Sequence, residues 1–290
     1  SSNYHSYFYI NEKLESIDNV SLQDIKNLYH QIISNSDGKV VVTIPKHSYS
    51  WAKSNLINVF STGIPHLKKY QEVENPNKTT FKPLNKTKIF TKASNDGQTK
   101  ISQSFKIIHN GNINDVVAVR LLSVLLGENE ESRLSKDLKA AKKLANEVYT
   151  DCYEYTENKS ICFNIKIPCD NYDSIKKCLE GVQSNINDLI STPVSDQELN
   201  KAKITLKKSF VNTLNDSASK NDILSYTNPY GVNYINEYID TIDKITPTQI
   251  QKAAKLFLTQ PSVISITSDK KTLENNKEYL ASQGEIMDLG

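Results

Sequence analysis

The side chains best able to do chemistry here are five histidines and four cysteines. A hydrolytic zinc centre on a helix needs two imidazoles one turn apart, with a carboxylate nearby to activate water. His5, His30, His47, His66 and His109 are scattered singly, and none has a second histidine within a helical turn. Cys152, Cys162, Cys169 and Cys178 fall within 27 residues (178 − 152 + 1), separated by nine, six and eight residues. No pair is spaced CxxC, which weighs against a zinc ribbon or a thioredoxin-like redox site. The expectation is buried free thiols, with one disulfide as the alternative. Phosphate chemistry has no footing either. There is no GxGxxG or GxxxxGK[ST] run, and glycine is only 9 of 290 residues, so a glycine-rich phosphate loop is not expected.

Charge narrows the partners. Lys plus Arg is 35 and Asp plus Glu is 33, a net charge of +2. A chain so nearly balanced has no bulk attraction for nucleic acid or an acidic membrane. No apolar run reaches the ~18 residues that a membrane span needs. With 38% hydrophobic and 23% charged residues, the composition is that of a folded, soluble chain. The opening SSNYHSYFYI lacks the basic start and apolar core of a secretory signal, and the compartment stays open.

The elements that must position any site follow from periodicity. Ser21 and Asp24 form a capping-box pattern ahead of a helix with Ile25, Leu28, Tyr29 and Ile32 on one face. A turn at 35–38 and a β-branched strand at 40–44, ended by Pro45, come next. A second helix, 50–60, carries Trp51, Leu56, Ile57 and Phe60. Residues 61–84 scatter glycine and proline among polar residues and read as a linker. A second body starts near Asn85 with alternating strands at 86–91 and 101–107. Asn114 is expected to cap an apolar, buried helix that closes on Gly127 at a C′ position. A short helix at 132–143 and strands at 147–155 and 160–167 follow. Tyr149, Tyr153 and Tyr155 share a strand face, read as a packed face with a peptide-lined chamber as the alternative.

Ile175, Cys178, Leu179, Val182, Ile186, Leu189 and Ile190 form a helical stripe. Ser195 caps a further helix, with Leu199, Ala202, Leu206, Phe210 and Leu214 on its apolar side. Lys201, Lys203, Lys207 and Lys208 are expected on its solvated side. Weaker helices are expected at 217–227 and 234–242. Thr246 opens a capping box with Pro247 at its first position, and a strand at 263–267 and a short helix at 273–280 close the chain. His109, just before an Asn-Gly turn signal, reads as a loop residue.

One pattern occurs twice. Residues 17–25 read IDNVSLQDI and 242–250 read IDKITPTQI, an offset of 225 (242 − 17). Each precedes a helix, a break and a β-branched stretch. The chain therefore reads as the tail of one α/β unit (1–60), a linker (61–84) and a complete second unit (85–290). The expected class is α+β, built of duplicated units. Each would be a mixed, mostly antiparallel sheet with helices on one face.

The stretch 115–146, DVVAVRLLSVLLGENEESRLSKDLKAAKKLAN, resembles the insulinase-like zinc peptidases, the M16 family of pitrilysin and mitochondrial processing peptidase. The matching positions are Leu126-Gly127, Ser132-Arg133-Leu134, Leu138-Lys139-Ala140 and Leu144-Ala145-Asn146, and the resemblance extends over nearly the whole chain. It implies the duplicated metallohydrolase fold, a peptide substrate, and a clamshell partner in which an Arg and a Tyr reach the zinc-bound substrate. Those positions are Lys139 and Asn146 in this chain. Ala140 replaces a glutamate, and Glu128 to Glu131 replaces a glycine-rich run. Lysine keeps the charge without arginine's planar fork, and asparagine lacks tyrosine's reach. These departures imply a degenerate, non-catalytic half. The alternatives are a structural or binding subunit without a proteolytic role, and the trailing part of a catalytic half. The family's His-x-x-Glu-His motif is absent. The resemblance thus places no cofactor in this chain and zinc only in a missing or partner half. Its candidate substrate-side residues are Lys139, Asn146, Ser132 and Arg133, with no catalytic residue.

Overall fold

The computed structural model describes residues 19–35, 41–63, 83–155, 159–169, 174–226 and 233–289. They belong to two compact units, 1–83 with 220–225, and 84–219 with 226–290. Residues 36–38 of the turn expected at 35–38, and nearly all of the 61–84 linker, lie outside the described residues.

In the first unit, α1 (Leu22–Asn35) starts as its sequence dictates. The Ser21 amide donates to Asp24 Oδ2 at 2.9 Å, and the Asp24 amide donates to Ser21 Oγ at 3.1 Å. The Ser21 hydroxyl, donating to Asp24 Oδ2 at 2.6 Å, and the Ser21 amide together hold the Asp24 carboxyl below its ordinary range. A 3-10 turn, Lys46–Ser48, leads into α2 (Tyr49–Gly63). The strand expected at 40–44 is not found: 41–45 carry no ladder, and residue 40 lies outside the described residues. β-branched residues alone do not make a strand without a neighbour to pair with. No described strand offers these residues one.

The second unit is built on one six-stranded mixed sheet. Its strands are β1 (Lys88–Ala93), β2 (Thr99–Ile108), β3 (Tyr149–Tyr155), β4 (Ser160–Cys169), β5 (Val263–Ser268) and β6 (Glu285–Asp288). The spatial order is β3-β4-β2-β5-β1-β6. Pairing is antiparallel from β3 to β5 and parallel across β5, β1 and β6. The period-2 alternation sends Ile101, Phe105 and Ile107 of β2 to the same face as Ile167, Phe163 and Ile161 of β4, in direct register. Beneath them runs α3 (Ile113–Leu126), whose residues from Val116 to Leu126 are buried except Arg120. The remaining helices are α4 (Ile175–Ser191), α5 (Asp196–Asn215), α7 (Tyr234–Lys244), α8 (Pro247–Phe257) and α9 (Lys270–Gln283), whereas α6 (Ser217–Tyr226) has its residues 220–225 in the first unit. α3 packs against α5, α7 and α8, and α4 packs on α8. The apolar stripes read from the sequence face inward: Ile175, Cys178, Leu179, Val182, Ile186 and Leu189 are buried, as are Leu199, Ala202 and Leu206.

Several local expectations are corrected. Asn112, not Asn114, caps α3: its extended backbone lets Oδ1 accept from the Asn114 amide at 2.9 Å. Gly127 does end α3, but with φ −159°, not in the left-handed region. Close approach explains it: a Cβ there would sit 2.7 Å from Thr150 Cγ2. The expected helix at 132–143 is a short helical turn widened to π spacing over Ser135–Ala141, with the Lys142 amide donating to the Asp137 carbonyl at 2.9 Å. The closing helix is longer than its apolar pattern, because Asp269 accepts from the Thr272 amide at 3.0 Å and starts it early. β6 has no counterpart in the sequence reading, since four residues are too few for periodicity. It is docked through Gly284, where a Cβ would meet the Thr87 carbonyl oxygen at 2.4 Å.

Candidate functional site

Two surfaces of the second unit gather chemically able side chains. The first is the corner after α3. Ser132 is buried, and its Oγ donates to the Asn129 carbonyl at 2.6 Å and lies 3.0 Å from Ser135 Oγ. Arg133 forks onto Glu198, Nε to Oε1 at 2.7 Å and Nη2 to Oε2 at 2.8 Å. Glu198 sits in the first turn of α5, where its amide donates to the capping Ser195 Oγ at 3.2 Å. The glutamate thus faces the positive end of a helix dipole and a bidentate guanidinium together. Glu198 holds the Arg133 guanidinium above its ordinary range. Both residues line an open cavity of about 800 Å³ with Asn129, Glu130, Ser132 and Ile204.

The structure brings the candidate residues together only in part. Ser132 and Arg133 share this cavity, engaged in the bonds just described. Lys139 reaches its rim by pairing with Glu130 at 2.6 Å. Asn146 does not line it. That residue is exposed, and its backbone amide donates to the Pro168 carbonyl at 3.3 Å, near the end of β4. Sequence reading missed the Arg133–Glu198 fork. The only signal for it was a capping pattern 65 residues away.

The second surface is the open face of the sheet. Tyr149, Tyr153 and Tyr155 are 48%, 56% and 47% exposed, which overturns the packed-face reading. Helices cover the opposite face, occupied by Thr150 and Cys152, so the tyrosines are left to solvent. Beside them is a cross-strand network. Ser104 Oγ donates to Asn164 Oδ1 at 2.7 Å, Asn164 Nδ2 donates to Asp151 Oδ1 at 2.6 Å, and Lys166 Nζ reaches Asp151 Oδ2 at 2.6 Å. These residues face one another in register, Asp151 opposite Asn164 opposite Ser104. The Cys162 thiol donates to Asn164 Oδ1 at 3.3 Å, and burial and the Asp151 charge push it above its ordinary range. β3 is an edge strand, so this face adjoins a row of unpaired backbone groups.

His109 is the loop residue expected, but a buried one. It follows β2 but is only 3% exposed. Its Nδ1 accepts from the Gly111 amide at 3.1 Å, while Nε2 lies 4.0 Å from Glu154 Oε1. Gly111, with φ +79°, makes the turn that aims this amide back at the ring. Burial lowers the histidine's pKa, and Glu154 opposes that only in part. The unfolded chain then binds the proton more readily than the folded one. Stability from this group is present above the ordinary histidine pKa and is lost as pH falls below ~6.5. Urea midpoints across pH 5–8 should fall on the acid side for the wild type and be flatter for His109→Gln; an equal slope in both would refute the assignment.

Among the described residues, no three His, Cys, Asp or Glu side chains are grouped to hold a metal ion, and no helix is long and apolar enough to cross a membrane.

The second unit is thus a mixed sheet backed on one face by a buried apolar helix, with a Ser-Arg-Leu corner after it. Residues 19–206 match the family model for the peptidase M16 inactive domain, and the chain belongs to that family. Solved structures share the fold. A protease from Helicobacter pylori superposes with a TM-score of 0.66 at 16% identity, over 88% of this chain and 60% of that one. The peptidase M16 inactive domain from Pseudomonas fluorescens gives 0.67 at 17% identity, over 88% and 59%. The periplasmic protease PqqL from Escherichia coli gives 0.58 at 15% identity, over 76% of this chain but 24% of that one. The chain thus spans about 60% of the first two and a quarter of the third. At such identities the likeness is one of fold. No curated protein matches the chain.

Proposed function

We propose that this chain is a non-catalytic lobe of an insulinase-like zinc peptidase. The open sheet face serves as chamber wall and peptide-binding surface, and zinc hydrolysis comes from another half or subunit of the same family. The observation that carries the reading is the exposed row Tyr149, Tyr153 and Tyr155 on an edge strand, in a chain of the inactive-domain family. Tyrosine offers an unstructured peptide large apolar contact together with a hydrogen-bonding tip, and an edge strand offers backbone pairing. Lys139 is assigned substrate contact at the Glu130 rim, and Asn146 a separate contact near the end of β4. Ser132 and Arg133 brace the corner that carries Lys139. Residues 1–60 act as the tail of a preceding unit, joined by 61–84 to the complete unit at 85–290.

Titrating the whole chain into a fluorescent unstructured peptide, read by anisotropy, tests this. Binding is expected, weakened about tenfold or more by Tyr153→Ala with Tyr155→Ala, and less by Lys139→Ala with Asn146→Ala. Absence of binding by the wild type would overturn the peptide-wall role in favour of a purely structural subunit. Stoichiometric tight zinc, or peptide cleavage by the purified chain, would overturn the assignment of hydrolysis to another lobe.

A further inference from the structure

We propose that Cys169 and Cys178 are a disulfide-forming pair that fastens the end of β4 to the first turns of α4. The four cysteines are not equivalent in space. Cys152 lies under the sheet with its thiol directed at the Val119 carbonyl, 3.9 Å away. Cys162 points to the opposite, open face beside Asn164. Cys169 and Cys178 instead meet each other, Sγ to Sγ at 3.5 Å, both at most 1% exposed. A disulfide bond is ~2.05 Å long, so a sulfur displacement of about 1.5 Å joins them, within reach of a side-chain adjustment. They belong to different elements, which gives the bond something to hold. The adjacent Cys169 thiol, and burial with it, keep Cys178 well above the ordinary thiol range. Its thiolate is therefore scarce in the folded chain, and the bond is set mainly while the chain folds.

The reaction needs an oxidised small disulfide, such as glutathione disulfide. One protein thiolate attacks it, forming a mixed disulfide and releasing one glutathione thiol. The second protein thiolate displaces the other glutathione. One protein S–S bond forms, two S–H bonds are lost, and the two electrons and two protons leave on two glutathione thiols.

The whole chain is refolded in mixed oxidised and reduced glutathione, then alkylated, digested and mapped by mass. The expected product is a peptide pair linked through Cys169 and Cys178, lighter by two hydrogens, with Cys152 and Cys162 alkylated. The link should raise the urea midpoint, and reductant should abolish that gain. Alkylation of all four cysteines under every redox condition overturns the proposal, as does a link that uses Cys152 or Cys162. Because the mapping uses the wild type, it does not depend on whether Cys178→Ser folds.

Discussion

Replacing Ile250 with aspartate is expected to abolish the cooperative unfolding transition of the second unit, whereas Ile25→Asp should change stability by no more than ~0.5 kcal/mol. The two isoleucines are equivalent under the 225-residue repeat (250 − 25). Both stand one turn after a capping residue whose geometry is realised: Ser21 with Asp24 for α1, Thr246 with Gln249 for α8. Their surroundings differ. Ile250 is fully buried, along with Ala253, Ala254 and Phe257, on a helix packed against α3 and α4. Ile25 is 56% exposed, and Leu28 and Tyr29 beside it are more so. A carboxylate at Ile250 would be buried without a partner, a cost of several kcal/mol that is a large part of a domain's stability. At Ile25 it meets water. Circular dichroism melts of the two variants decide the matter. A large loss at Ile25 would mean that the α1 stripe is covered after all.

How much of this could be read from the chain depends on how local the cause is. The α4 stripe and the alternation of β2 were legible because burial imposes period 3.6 or 2 on one contiguous segment. Capping at Ser21 and Thr246 was legible because it involves residues three apart. The causes that stayed hidden are non-local. Period 2 places Tyr149, Tyr153 and Tyr155 on one face, but which face the helices cover is decided by elements elsewhere in the chain. Gly127 announced a helix end, yet its reason is Thr150 across the fold. The Arg133–Glu198 fork joins residues that local pattern does not relate. The β-branched run expected as a strand at 40–44 is unpaired over its described residues 41–44, because a strand is a property of its neighbour too. Lys139 and Asn146 came from resemblance alone, and the geometry leaves them on separate surroundings, one at the Glu130 rim and one beside Pro168.

Phe163→Ala should lower stability by about 3–5 kcal/mol. Phe163 is fully buried at the middle of β4, opposite Phe105 on one side and Cys152 on the other. It packs edge-on against the Phe105 ring, with centroids 6.4 Å apart and planes at 66°. Truncation removes that ring contact and leaves a cavity where β2, β3 and β4 meet, between rigid strands that cannot close it. Phe163→Leu keeps most of the volume and should lose less than half as much. Urea titration measures both, and a loss below ~1 kcal/mol for the alanine variant would show that this is not the packed centre of the sheet. The consequence extends to the opposite face. Cys162 and Asn164 flank Phe163 in sequence and point outward, so β4 holds the open-face network only while Phe163 is anchored beneath it. The alanine variant should therefore react faster with alkylating reagents at Cys162 and bind peptide more weakly, although position 163 never touches the open surface. A core residue would then set the affinity of the wall on the far side of its strand.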